Sequence, residues 1–336
     1  MIDWLTFRAS VSEHDPVANG AVVKMGPDGE VEWVTGARMA LAGSYDPSIY
    51  IRSIDARNIE ISGNAVKHYQ GHNLWGSNDV PALGGVLLAD VEETLGLEVR
   101  KVRPLSRVDI AGLLDLGEPA VVQDVLRSLG QAATMRNRGR GNNADEGTVY
   151  WGKRSRRWSL KIYDKQKEVV TTKATSDVAT TAALAAGKLR VEVVLRGLQL
   201  DEMNLRHLEQ WSTVDAMHLL RDFLAKLELP DQAPRLDVAL LPRHLRAPFF
   251  QWAQGDDLRA LYPKPTFYRY RKQLLEVGVD IAVPPSEPIT HVRDLTNNLV
   301  GFKNLPDIRS LSFWEPSAED RQRLPTFNPA DLRKTG

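Results

Sequence analysis

The sequence predicts an α+β fold: a mainly antiparallel central sheet with helices packed on one side, plus a smaller, mostly helical C-terminal region. Three stretches carry this prediction: Leu105–Ala111, Arg157–Glu168 and Lys188–Arg196. In each, apolar residues recur at every second position, the period of a strand with one buried face. Val108 and Ile110 share a face of the first stretch. Trp158, Leu160 and Ile162 share one in the second, and Leu189, Val191, Val193 and Leu195 one in the third. Helical periods fall between and around them, giving the interleaved order expected of an antiparallel sheet with covering helices.

Taken in order, Met1–Arg8 reads as an opening strand, with further strands at Val31–Val34, Ile49–Ile54 and Ile59–Ser62. Gly63 and Asn64 break that pattern, and the following AVKHYQGHNLWGSNDVP reads as a short helix or turn and then a loop. Pro81–Leu95 has apolar residues at helical spacing and Gly96 as a stop. Glu118–Met135 places Val121, Val125, Leu126 and Leu129 on one helical stripe. Arg136–Gly147, rich in glycine, asparagine and arginine, reads as a loop. Thr148–Gly152 and Arg157–Tyr163 form a hairpin around Lys153–Arg156. A helix follows Tyr163, and Thr171–Gly187 is either helix or flexible insert. A helix over Asp201–Leu229 ends at Pro230, where prolines become frequent, so the predicted domains are 1–230 and 231–336. The second holds one clear helix, TFYRYRKQLLEVG, capped by Thr266 and stopped by Gly278. Its basic face suits either duplex DNA or ordinary packing. The tail from Pro306 is rich in proline and charge and reads as extended.

Composition narrows the chemistry. The chain has no cysteine, so disulfides and thiolate metal sites are excluded and any metal must use oxygen or imidazole donors. No apolar run of about 18 residues is present, and the N-terminus lacks the pattern of a secretion signal. The 43 Lys and Arg balance 43 Asp and Glu. Charge is nevertheless clustered. Arg136, Arg138, Arg140, Lys153, Arg154, Arg156, Arg157 and Lys161 face only two acidic residues in the same stretch. Such a patch suits a phosphate backbone, or simply a solvated hairpin surface.

Successive strand side chains point to opposite faces, so the polar faces of the three strands carry Arg107 with Asp109, then Arg157, Lys161 and Tyr163, then Arg190 with Glu192. In one sheet these would meet. Tyrosine ordinarily titrates near 10, so its use as a nucleophile needs a nearby cation or metal, and Lys161, Lys165 and Lys167 are candidates. Asp109 reads as a metal ligand with Arg107 as its orienting partner or a phosphate clamp; a plain salt bridge is the alternative. Glu192 reads as a second ligand or a base, or as a partner of neighbouring arginines. His72 and His68 are four residues apart and would share a helix face if that segment is helical, so they are the imidazole candidates.

These residues resemble those of the replication initiators, or nicking proteins, of filamentous bacteriophages, and of the related rolling-circle plasmid initiators of the HUH-like tyrosine endonuclease type. The opening MIDWL and the blocks Gln70–Asp79, Ser106–Ala111, Trp151–Glu168 and Leu189–Arg196 occur in that family's order. The resemblance covers roughly Met1–Trp211 and extends weakly to Phe267–Gly278. It implies a Rep-like sheet and an enzyme that nicks one strand of supercoiled origin DNA. Tyrosine becomes linked to the 5′ phosphate, the 3′ hydroxyl is left for the host polymerase, and the displaced circle is later rejoined. Carried over by motif, Tyr163 is the nucleophile and Lys165 its close partner. Asp109, and by position Glu192 and His72, would serve Mg²⁺ or Mn²⁺. The implied partners are origin DNA and a host helicase and polymerase, without a membrane, in the cytoplasm of the bacterial host. The basic segment would hold the single strand, with Trp151 and Trp158 either stacking on bases or packing in the core. One departure stands out: the wider superfamily carries a His-x-His motif, and this chain has none. A conjugative relaxase with the same chemistry, and a non-catalytic DNA-binding regulator, are the alternatives. No GxxxxGK[ST] phosphate loop occurs, as an ATP-independent step allows.

Overall fold

Alternating apolar residues assemble into a ten-stranded sheet in which every pairing is antiparallel. The computed structural model describes residues 1–18, 20–26, 28–41, 49–135, 139–140, 142–145, 147–229, 241–276, 279, 281–282 and 306–329. In chain order the strands are β1 (Ile2–Val11), β2 (Ala21–Met25), β3 (Val31–Gly36), β4 (Met39–Ala40), β5 (Ile49–Asp55), β6 (Asn58–Gly63), β7 (Val99–Val102), β8 (Arg107–Asp115), β9 (Thr134–Met135), β10 (Gly139–Arg140), β11 (Asn142–Asp145), β12 (Thr148–Trp151), β13 (Trp158–Asp164), β14 (Lys188–Arg196) and β15 (Leu227–Glu228). The helices are α1 (Ala65–Gln70), α2 (Val80–Leu95), α3 (Pro119–Ala132), α4 (Lys165–Thr172), α5 (Val178–Ala185), α6 (Gly197–Glu202), α7 (Ala216–Leu224), α8 (Arg243–Ala253), α9 (Leu258–Leu261) and α10 (Lys264–Glu276), with a short helix at Ala318–Arg323. The main sheet runs β11-β12-β13-β14-β8-β1-β6-β5-β4, and β7 joins β1 beyond the reach of β8. The strands β2 and β3 form a separate ribbon, and β9 lies between β10 and β15.

One apolar core unites the inward residues of the central strands (Phe7, Ile61, Ile110, Leu160, Ile162, Val191, Val193) with Leu83 and Leu87 of α2, Val125 and Leu129 of α3 and Leu220 and Phe223 of α7. Burial of these residues, each contributing roughly 1.5–3 kcal/mol for a fully buried large side chain, holds the helices on the sheet. Local signals set the boundaries. Asn64, Asp79, Asp164, Asp177 and Asp215 each accept from a backbone N–H in the first turn of the helix that follows.

Several expectations are corrected. The helix expected over Asp201–Leu229 is broken into α6, a 3₁₀ turn at Leu208–Trp211, α7 and β15. Asn204 adopts a left-handed φ of 54° just after α6, and the Asp215 side chain caps a new start, so local polar groups interrupt an apparently continuous stripe. Within Arg136–Gly147, expected as a loop, the described residues Gly139–Arg140 and Asn142–Asp145 are strands. Backbone pairing makes them, and the sequence there shows no alternation of apolar residues. The helix α10 begins at Lys264, ahead of the expected cap Thr266. The predicted boundary at Pro230 and the stop at Gly278 lie outside the described residues.

The tail does not stay with the C-terminal helices. Leu241, Leu245, Phe249, Trp252, Leu258, Phe267 and Leu274 form a core of their own. Residues 306–329, by contrast, pack on the sheet unit. Ile308 lies in the main core, Phe313 bridges to Leu114, and the Trp314 amide donates to the Leu113 carbonyl at 2.7 Å. The Phe313 ring occupies the space above Gly112, where a Cβ would stand 2.6 Å from it. Among the described residues no helix is long and apolar enough to cross a membrane.

Candidate active site

Register brings the polar residues together. Lys161 lies opposite Glu192, Tyr163 opposite Arg190, and Arg107 opposite Arg196, while Asp109 lies opposite Val194 on one side and Trp4 on the other. The Tyr163 hydroxyl donates to Glu192 Oε2 at 3.4 Å. Lys161 Nζ stands 3.8 Å from the same oxygen and 4.1 Å from the centre of the Tyr163 ring. Arg107 and Asp109 form a two-pronged pair, Nε to Oδ1 at 2.7 Å and Nη2 to Oδ2 at 2.5 Å. Asp164 ends β13 and caps α4, so the chain turns immediately and returns Lys165 to the same surface. Lys165 Nζ donates to Asn73 Oδ1 at 2.8 Å and Glu168 Oε2 at 2.6 Å. Lys167, by contrast, is exposed beside Gly147.

The network contains residues that alternation did not reveal. Arg190 is fully buried and pairs with Asp3 Oδ1 at 2.7 Å. The same oxygen accepts from Asn64 and Asn73. Strict alternation would place Asp3 with Leu5 and Phe7 on the core face. A register shift between Ile2 and Trp4 turns Asp3 to the polar face instead, a bulge with no side-chain signature. Asn73 lies in the QGHNLWGSND block, which was the available signal for it.

Electrostatics follow from burial. Desolvation, and then Glu192, push the Tyr163 phenol well above its ordinary value. Burial lowers the Lys165 ammonium against the pull of Glu168. Desolvation raises the Asp109 carboxyl in spite of Arg107, with Glu192 and Asp3 adding to the rise. Burial would raise Asp3 too, but Arg190, Lys165 and Asn73 hold it below the usual range. Arg107, Lys161, Lys165 and Arg190 thus stand against Asp3, Asp109, Glu168 and Glu192 in a balanced set.

The expected metal donors divide. His72 does not fit. Gly71, with φ of 81°, ends α1 and turns the chain so that His72 points inward, away from the helix face of His68. Its Nε2 meets the Pro325 carbonyl at 2.7 Å, and Nδ1 accepts from the Leu74 amide at 3.4 Å. Burial pushes the ring down to about 4. His68 instead lies 3.7 Å from Asp90. Asp109 and Glu192 lie on the same sheet face, close enough for Glu192 to help raise the Asp109 carboxyl, and both are hard oxygen donors of the kind Mg²⁺ and Mn²⁺ take, commonly one or two carboxylates completed by substrate phosphate and water. Among the described residues no three His, Asp or Glu side chains group as metal ligands.

Of the basic residues, Arg136 and Arg138 lie outside the described residues and Arg140 is placed by its backbone in β10. Lys153, Arg154, Arg156 and Arg157 are exposed around the β12–β13 turn. Lys153 lies over the Tyr150 ring at 4.7 Å, and Arg157 pairs with Glu202. Trp151 is fully buried and cannot stack on a base as it stands, and Trp158 packs on Phe223 with ring centres 4.7 Å apart.

Residues 1–214 match the N-terminal part of a phage replication-associated protein, and residues 238–292 match the C-terminal part of the same protein. The chain belongs to this family of replication-associated proteins. It is 34% identical over 309 residues to the replication-associated protein of Enterobacteria phage I2-2, covering 84% of this chain and 88% of that relative. A solved structure, the rolling circle replication initiator protein from Geobacillus stearothermophilus, aligns with a TM-score of 0.33 and 14% identity over 73% of this chain and 90% of that one.

Proposed function

We propose that the chain initiates rolling-circle replication as a single-strand endonuclease and ligase, with Tyr163 as nucleophile at a phage or plasmid origin. The observation that carries this reading is the Tyr163 hydroxyl donating to Glu192 beneath Lys161, on a face that also holds Arg107. The phenol is neutral in the free protein, so its proton must leave as the bond forms. Glu192 takes it as general base. The Tyr163 oxygen bonds to phosphorus, the bond from phosphorus to the 3′ oxygen breaks, and that oxygen takes a proton from water. The reverse sequence rejoins the strand without ATP. Arg107 and Lys161 stabilise charge on the phosphate oxygens, and Lys165 fixes the start of α4 through Asn73 and Glu168.

A phosphate entering a charge-balanced site adds a negative charge. A divalent cation held by Asp109 would offset it and polarise the phosphate, leaving Glu192 as the base. Lys153, Arg154 and Arg156 would track the single strand near the site. Origin DNA, a host helicase and a host polymerase are the proposed partners, in the bacterial cytoplasm.

The test is cleavage of a single-stranded origin oligonucleotide. Tyr163→Phe should bind it and form no covalent adduct, and Glu192→Gln should slow cleavage by about 10²–10⁴-fold. EDTA should stop cleavage and spare binding. Cleavage undiminished by EDTA would remove the metal from the scheme. Binding without cleavage by the native chain, tested with Mg²⁺ and with Mn²⁺, would replace the enzyme with a regulator.

A further inference from the structure

The helical unit at 241–276 concentrates charge in an otherwise neutral chain: seven Lys and Arg against three Asp and Glu. Its architecture is compact. Phe249 and Trp252 of α8 pack with Phe267 and Leu274 of α10, while α9 is a single turn joined to α10 through Tyr262 and Pro263. Tyr262 fixes that corner, its hydroxyl donating to Gln251 and its ring meeting Tyr270 edge-on at 5.3 Å. With Phe267 and Leu274 turned inward, α10 presents Lys264, Tyr268, Arg269 and Lys272 outward, and Leu261 at the end of α9 is exposed as well. Tyr268 is 51% exposed and Leu261 53%. Among the described residues no acidic side chain pairs with Lys264, Arg269 or Lys272.

We infer that this face of α10 is a duplex-DNA site, in which the helix enters the major groove. Charge complementarity selects a polyanion. A helix with its side chains is about 10–12 Å across, and the major groove of B-DNA is about 12 Å wide. The thirteen residues of α10 extend about 20 Å, enough to follow the groove past several phosphates. Lys264, Arg269 and Lys272 contact phosphates, and the exposed Tyr268 ring lies toward the base edges. This deepens the proposed function, assigning duplex recognition to a surface separate from the Tyr163 site.

The experiment uses the full chain with a labelled 30-base-pair mixed-sequence duplex and the corresponding 30-nucleotide single strand. A Lys264→Ala/Arg269→Ala/Lys272→Ala variant should bind the duplex at least tenfold more weakly. The slope of log affinity against log salt should fall by about 0.9 for each cation removed. Binding to the single strand and cleavage of a single-stranded origin oligonucleotide should stay as in the native chain. The charge-retaining variant Lys264→Arg/Arg269→Lys/Lys272→Arg should keep duplex affinity within about threefold, which separates lost charge from lost folding. Unchanged duplex affinity and slope in the alanine variant would overturn the inference. So would equal losses on duplex and single strand, or an equal loss in the charge-retaining variant. Failure of the Tyr163 chemistry would show in the oligonucleotide cleavage and leave the duplex result standing.

Discussion

The two faces of the central strands differ less in burial than in how each residue is satisfied. On one face Leu160, Ile162, Val191 and Val193 are fully buried among other hydrocarbon side chains. On the other, Arg190 is 0% exposed, Asp109 2%, Tyr163 5% and Glu192 7%. The apolar face gains from each residue nearly independently. The polar face holds only because its charges are matched, Arg190 with Asp3, Arg107 with Asp109, Lys161 with Glu192. A buried ion pair contributes little net stability, but losing one partner strands the other. The stability of that face is therefore collective.

Breaking one buried pair should give the largest effect. Arg190→Met leaves Asp3 without its counter-ion and should cost about 3–5 kcal/mol in urea unfolding. Adding Asp3→Asn should recover part of that loss. Additive costs would mean the two residues are independent and the comparison is wrong. Next comes pH. His72 is held near 4 in the folded chain, against 6.5 ordinarily, so the unfolded chain binds the extra proton between those values. Its contribution is complete above pH 6.5 and is lost as pH falls toward 4, about 3 kcal/mol in all. Asp109, raised by burial, slopes the other way. The readout is therefore the difference between native and His72→Gln unfolding curves, which should narrow as pH falls from 7 to 4.5. On the apolar face, Ile162→Val should cost about 0.5–1.5 kcal/mol and leave strand cleavage unchanged. Smallest is Arg157→Ala at the exposed pair with Glu202, under about 0.5 kcal/mol by the same unfolding assay.

The central strands were legible because a two-residue period survives wherever one face meets hydrocarbon. Tyr163, Lys161 and Glu192 were legible with them, since a shared sheet makes their polar faces coincide. Asp3 was not, because a bulge shifts the count by one without changing residue types. His72 looked like a ligand beside glycine and asparagine, yet its environment depends on Pro325, 253 positions away. The return of the tail was hidden for the same reason. Its contacts, such as Phe327 stacked on Tyr69 with ring centres 4.4 Å apart, link segments whose local patterns say nothing of each other.

The most direct test is peptide mass spectrometry of the native chain after reaction with single-stranded origin DNA and nuclease trimming. The account predicts a nucleotide 5′ phosphate on the peptide carrying Tyr163, absent from Tyr163→Phe. A nucleotide on any other residue, or cleaved DNA with no linked peptide, would contradict it.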